Sequence, residues 1–288
     1  MNGFATIPTG KKGRSPNRIG GRERQQSPTV GSNMPRKYVA FDIETAKVLP
    51  AVVPELKAHR PLGIACAATF YTAADTPRFW YGQTNDGRPS AKMSREDAAA
   101  LVKALASLVD DGFTILTWNG LGFDFDILAE ESGMPGECQH LARFHVDMMF
   151  HVFCERGFFV GLDRAAKAMR LPGKSQAIEP HMAPRLWAES RTKEVLDYVA
   201  QDVRATLELA TACETQRCLR WLTQKGGTAE IKLPRGWLTV DEARRLPEPD
   251  TSWMDRPYPR GKFTDWFAAD AQAPASNTVT AVPNGNDV

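Results

Sequence analysis

No stretch of this 288-residue chain is apolar for long enough to cross a bilayer as a helix, because its longest apolar runs are strand-length. The N-terminus has basic residues but no apolar segment behind them, which argues against a secretory leader. Cysteine is scarce. Cys66, Cys138, Cys154, Cys213 and Cys218 are odd in number and include no C-x-x-C, a pattern that reads as reduced thiols in a cytoplasmic protein rather than a structural zinc site. His140, His145, His151 and His181 lack partners at metal-ligand spacing and are expected to be satisfied core or surface histidines. Apolar residues are nearly missing from residues 1–34, where Lys11, Lys12, Arg14, Arg18, Arg22 and Arg24 face only Glu23. That arm sums to +5, so the rest of the chain must sum to −3 to give the net +2. It cannot bury a core and is expected to be disordered. It fits either a salt-sensitive contact to phosphate backbones or a solubilising tail, or else a misassigned start upstream of Met34. Residues 268–288, small, polar and proline-bearing, are expected to be a second disordered tail.

The whole chain is 42% hydrophobic, as a globular protein is, with length for one sizeable domain plus extensions or for two small ones. The organising stretch is YVAFDIET, residues 38–45, an apolar run that ends in two acids one residue apart. In a strand buried on both faces, Asp42 and Glu44 share a face. Two carboxylates there repel each other and resist desolvation unless a cation lies between them, which asks for a divalent metal with oxygen ligands. On its own, a D-x-E can also be an ordinary loop entry.

Further along, residues 62–71 and 78–82 read as strands flanking a short turn, so the sheet is expected to begin antiparallel. Residues 94–110 have a Ser at the cap position and apolar residues at helical spacing. Residues 113–118 form the next buried strand. In WNGLGFDFDIL, residues 118–128, the strand stops at Asn119-Gly120 and a helix starts near Gly122. With Ile127 and Leu128 in the core, one of Asp124 and Asp126 faces the sheet edge and the other solvent; Asp124, beside the inserting Phe123, is the choice. Residues 140–150 are expected to hold another strand, ending at Asp147, and then a helix into Cys154. A short helix over 161–171 exposes Arg164, Lys167 and Arg170, and 172–184 is expected to be a loop over a substrate groove. In a long helix over 192–217, Tyr198 and Asp202 are four apart and stack on one face.

These three anchors resemble the DEDD superfamily of 3′-to-5′ exonucleases. Its D-x-E motif matches Asp42-Ile43-Glu44, and its Asn with a following aromatic-Asp pair matches Asn119 and Phe123-Asp124, at the spacing of family B DNA polymerase proofreading domains. Its Y-x-x-x-D matches Tyr198 and Asp202. Where another branch places His five residues before the last Asp, this chain has Asp197, so the tyrosine (DEDDy) branch is the better match. GLDRAAKAMRLPGKS and APRLWAESRTKEVLDYVAQDVRATLELA look like stand-alone exonucleases predicted from similarity to those proofreading domains.

The resemblance covers about residues 36–215 and implies an α/β, ribonuclease-H-like mixed five-stranded sheet of order 3-2-1-4-5, flanked by helices. The nuclease domain would be 35–215, followed by a tryptophan-rich extension, 216–267, packed on the core or completing the groove. With Arg235 and Lys262 among its aromatics the extension also fits single-strand binding. The resemblance further implies two Mg²⁺ or Mn²⁺ ions about 4 Å apart, one activating water and one stabilising the departing 3′ oxygen. Asp42 would bridge both ions, Glu44 and Asp202 would complete the first, and Asp124 would hold the second through water. Tyr198 would orient water, while Thr45, Asn119 and Phe123 would contact the terminal nucleotide. The expected substrate is a single-stranded DNA or RNA 3′ end, DNA favoured, with a polymerase or a replication or repair protein as a possible partner. A catalytically silent nucleic-acid-binding or polymerase-associated module of the same fold is the rival; it has no reason to keep mutually repelling carboxylates. A ribonuclease H or resolvase cutting internally would lack the Y-x-x-x-D pairing.

Overall fold

Alternation along β1, Tyr38–Thr45, sends Tyr38 and Ala40 to one side and Val39, Phe41 and Ile43 to the other, and all five are buried. A strand covered on both faces belongs to a sheet with a layer packed on each side. In the computed structural model, which describes residues 36–53, 55–172 and 179–267, β1 is the central strand. It pairs antiparallel with β2, Ile64–Tyr71, which pairs antiparallel with β3, Arg78–Trp80. On its other edge β1 runs parallel to β4, Thr114–Thr117, and β4 runs parallel to β5, Val146–Asp147. The resulting order β3-β2-β1-β4-β5 is the one expected, and the fold is ribonuclease-H-like. The basic arm and the C-terminal tail lie outside the described residues, as do residues 173–178 of the expected groove loop.

Two helical layers cover the sheet. Tyr38 and Ala40 pack against Val195, Val199 and Val203 of α7, Thr192–Gln216, together with residues of α5, Leu162–Ala168, and α6, Ala183–Ala188. Val39, Phe41 and Ile43 pack against the other layer. It consists of α1, Arg95–Asp110; α2, Asp124–Ser132; α3, Pro135–Phe144; and α4, Met148–Arg156. Burying a side chain such as Phe41 contributes about 2–3 kcal/mol, so both layers are held mainly by apolar contact. The start of α1 is fixed locally: Ser94 accepts from the Asp97 amide while Asp97 accepts from the Ser94 amide. Among the described residues no helix is long and apolar enough to cross a membrane, and all five cysteines are buried and free.

Two local expectations are sharpened. The strand expected within residues 140–150 does end at Asp147 and a helix, α4, follows it through Cys154, but the strand is only Val146–Asp147, because α3 runs to Phe144. Pro135 at the helix start and the buried Cys138, Leu141 and Ala142, spaced three and four apart, fix the helical state. The expected loop 172–184 gains a single turn at Pro180–Met182 and then enters α6 at Ala183, with Pro184 in the first helical turn where its missing N–H is harmless.

After α7 the chain forms a hairpin of β6, Cys218–Leu222, and β7, Thr228–Lys232, then α8, Val240–Ala243. Trp237 is fully buried, and its backbone N–H donates to Glu214 of α7, which also accepts from the Tyr38 hydroxyl at 2.6 Å. Farther on, Phe263 packs on Phe150 and Phe153 at ring distances of 5.0 and 4.9 Å. The Trp266 indole N–H donates to the Leu121 carbonyl at 2.9 Å. The extension thereby supports the turn that leads into α2.

Candidate active site

The strand parity that buries Tyr38 and Ala40 under α7 also aims Asp42 and Glu44 toward that helix. On α7, Tyr198 and Asp202 occupy the facing side, one turn apart. Asp42, Glu44 and Asp202 converge so that one carboxylate oxygen from each lies within 4.8 Å of the others. Glu44 and Asp202 are buried, and Asp42 is partly exposed.

Asp124 reaches the same place from the opposite layer. Pairing between β1 and β4 ends at Ala40 with Leu116, so the β4-side edge of β1 is open beyond that point. Asp124, the first residue of α2, fills the gap: its Oδ1 accepts from the Ile43 amide at 2.9 Å. Asp124 is 3% exposed and borders the same cavity as the other three acids. Asp126 does not face solvent as expected. It is buried and paired with Lys57 and with Arg60 at 2.6 Å, which fastens the 46–61 connection to α2.

The turn that delivers Asp124 is held by two residues given no role from sequence. Buried Asp147 accepts from the amides of Asn119 at 3.0 Å, Leu121 at 2.9 Å and Phe150 at 3.0 Å. It joins β5 to α4, capping the helix while gripping the turn. His145 donates from Nδ1 to the Ala142 carbonyl at 2.7 Å, leaving neutral Nε2 to accept from the Thr117 hydroxyl at 3.0 Å. Thr117 in turn accepts from the Gly120 amide. Asn119 has φ of 76°, a conformation Asn tolerates, and a Cβ on Gly120 would come within 2.5 Å of Thr117 Oγ1. An Asp just before the helical run MMFHVF was the available capping signal for Asp147.

Charge crowding is visible in the groups around the site. Burial, with the charges of Asp147 and Asp202, pushes Asp124 up to about 7 despite the Ile43 hydrogen bond. Burial likewise raises Asp147 to about 6, against the pull of its amide donors. Burial first, then the charges of Asp202, Glu44 and Asp42, push the Tyr198 phenol far above its ordinary value. Cys66, paired across the strands with Glu44, is raised by burial and by Glu44 and Asp42.

All eight expected site residues, Asp42, Glu44, Thr45, Asn119, Phe123, Asp124, Tyr198 and Asp202, line one cavity of about 700 Å³. Its size and mixed polar and apolar lining are those of a small-molecule pocket. The 46–56 connection forms part of its wall, as does Phe159, an aromatic that the sequence did not single out.

No curated protein matches the chain. Similar solved structures include the family B DNA polymerase of the hyperthermophilic archaeon Pyrobaculum calidifontis, at 20% identity and TM-score 0.46 over 62% of this chain and 25% of that one. Exonuclease I of E. coli, in complex with an oligonucleotide, matches at 18% identity and TM-score 0.33 over 62% of this chain and 40% of that one. The moderately thermophilic exonuclease I of Methylocaldum szegediense matches at 17% identity and TM-score 0.33 over 63% of this chain and 41% of that one. The chain thus spans less than half the length of each of these proteins. Residues 77–213, from β3 to the C-terminal part of α7, match the family model of the RNase_H superfamily.

Proposed function

We propose that the protein is a metal-dependent 3′-to-5′ exonuclease that removes nucleoside 5′-monophosphates from single-stranded nucleic acid, DNA favoured, with two Mg²⁺ or Mn²⁺ ions. The observation that carries this reading is the convergence of Asp42, Glu44 and Asp202 within 4.8 Å, on a cavity that Asp124 and Tyr198 also line. A donor set made only of carboxylates fits hard divalent cations; zinc more often takes nitrogen or sulfur. Mutually repelling acids at one buried strand end are stabilised by such cations and by little else in a protein interior.

Asp42, Glu44 and Asp202 would hold one ion, and Asp124 would supply a carboxylate to the second. When bound, the ions supply Lewis-acid activation of water and neutralise charge on the scissile phosphodiester. The chain's own groups do the rest. Tyr198, held protonated by burial and by three neighbouring carboxylates, orients the attacking water by hydrogen bonding and does not take its proton. Asn119 and Phe123 flank the terminal nucleotide, and the Phe123 ring supports a base without reading its identity. Thr45, where the β1–β2 register shifts, lines the same cavity. The Asp147-held turn keeps Asn119, Phe123 and Asp124 in place so that no reorganisation is needed when substrate enters.

The test is incubation of purified protein with 5′-labelled single strands of DNA and of RNA, with and without Mg²⁺ or Mn²⁺. Metal-dependent ladders shortening from the 3′ end are expected. Internal cuts, or retention of intact strands without cleavage, would overturn the proposal.

A further inference from the structure

Phe159 and Tyr258 are far apart in the chain yet meet edge-to-face at 5.1 Å, one after α4 and the other in the C-terminal extension. Both rings rest on Phe263, at 5.7 and 5.6 Å, and both touch Phe153. Phe263 and Phe153 are 3% and 2% exposed, whereas Phe159 and Tyr258 are 50% and 42% exposed. The outer pair is therefore seated on a buried aromatic base while about half of each ring residue stays open to solvent. Aromatic residues that served only to close the extension onto the core would be covered on both sides. Phe159 also lines the cavity that holds the acids, so the open aromatic surface continues that cavity's wall outward to Tyr258. Exposed Lys262 places its ammonium 5.7 Å from the Tyr258 ring centre, adding a cation to an otherwise apolar ledge.

We propose that Phe159 and Tyr258 form a stacking platform for unpaired bases behind the 3′-terminal nucleotide, with Lys262 reaching the neighbouring phosphate. The assignment rests on the nuclease reading for its direction and deepens it by tying single-strand preference to the extension. In a duplex the base faces are occupied by neighbouring pairs, whereas an extended strand can lay successive bases on aromatic rings. The rings are fixed from beneath by Phe153 and Phe263, so stacking on them requires little further ordering. The flexible Lys262 stem lets its ammonium move from the ring to a phosphate. Trp253 provides an internal contrast. It is 66% exposed, but its ring partner is Phe158, which does not border the cavity.

Binding of a fluorescent oligothymidylate, followed by anisotropy in EDTA, tests the platform without any cleavage. Phe159→Ala and Tyr258→Ala should each raise Kd about tenfold, the size expected for one lost base–aromatic stack. Tyr258→Phe, which keeps the ring, and Trp253→Ala should leave Kd within about twofold of wild type. Should Phe159→Ala melt early, Tyr258→Ala decides, because its ring lies at the surface. Unchanged Kd in Tyr258→Ala, or an equal loss in Trp253→Ala, overturns the proposal. With Mn²⁺ present, Tyr258→Ala should raise KM on the long strand and leave kcat/KM on a dinucleotide unchanged; equal loss on both also overturns it. A wild-type protein that binds the strand through Tyr258 but never shortens it would sink the nuclease reading and leave the platform standing. Cleavage with no dependence on either ring would do the reverse.

Discussion

Replacing Asp124 by Asn should make the metal-free protein more stable at neutral pH while removing its activity. Asp124 is 3% exposed, and its carboxyl is raised from 3.8 to about 7 by burial and by the charges of Asp147 and Asp202. At 1.36 kcal/mol per unit, that displacement corresponds to at most about 4 kcal/mol of destabilisation once the group is ionised. Asn keeps an oxygen for the Ile43 amide, whose preference for the charged form the displaced value already contains, but it buries an amide NH2 in place of a carboxylate oxygen, which costs roughly 1–2 kcal/mol. A net gain of about 2 kcal/mol remains, or about 5 °C in Tm for a chain of this size. The sign follows from linkage. The folded-state value lies above the unfolded one, so the fold holds the proton more tightly and the wild type loses stability as pH rises from about 4 through about 7. The stability gap between the Asp124→Asn variant and wild type should therefore be full at pH 8 and shrink toward pH 5. Calorimetric melting in EDTA across that range measures it. A Tm for Asp124→Asn equal to or below wild type at pH 8, or a gap independent of pH, would refute the reasoning about charge crowding. Cleavage by the same variant in Mg²⁺ should fall by at least about a hundredfold; turnover near that of the wild type would remove Asp124 from the site.

Asp42→Ala should lose activity on the order of a thousandfold or more, equivalent to ~4 kcal/mol of transition-state stabilisation, and kinetics near wild type would remove this residue from the assignment. Tyr198→Phe should be milder, with cleavage still measurable in single-turnover assays, because in the proposed mechanism the phenol, held protonated, only orients water. Mn²⁺ titrated into wild type should raise Tm with ligand concentration, and Asp42→Ala should show much less of this rise; equal shifts in both proteins would place the cation elsewhere. Burial lowers His145 from 6.5 to about 4, so the stability that its neutral ring contributes is full above about pH 6.5 and is lost as pH falls toward 4. That component is worth about 3 kcal/mol at most, and His145→Gln should flatten the acid side of the Tm profile; an unchanged slope would show that His145 does not control it.

How far the site could be seen beforehand depended on which physical relation carried each residue. Asp42 and Glu44 share a face because strand side chains alternate, and Tyr198 and Asp202 share one because a helix returns after four residues; both relations are local. The choice between Asp124 and Asp126 was half visible. Helical spacing separates the two acids, but only the early end of β4 opens the Ile43 amide to Asp124, and only Lys57 and Arg60 account for Asp126 lying buried. Asp147 stood in the sequence at the end of a strand and the start of a helix, but its grip on the Asn119 and Leu121 amides was hidden, because only the fold brings that turn to it.

The order of apolar and polar residues along the chain was therefore enough to determine the strand and helix periods, the burial of β1 on both faces and the pairing of acids within each motif. Tertiary structure alone decided that the two layers bring their carboxylates around the same open strand edge, that Asp147 grips the turn from behind, and that Phe159 and Tyr258 share one aromatic base. The reason lies in range. Periodicity records what neighbours along a few turns must do, whereas an approach between residues about a hundred positions apart depends on which faces the whole core leaves uncovered.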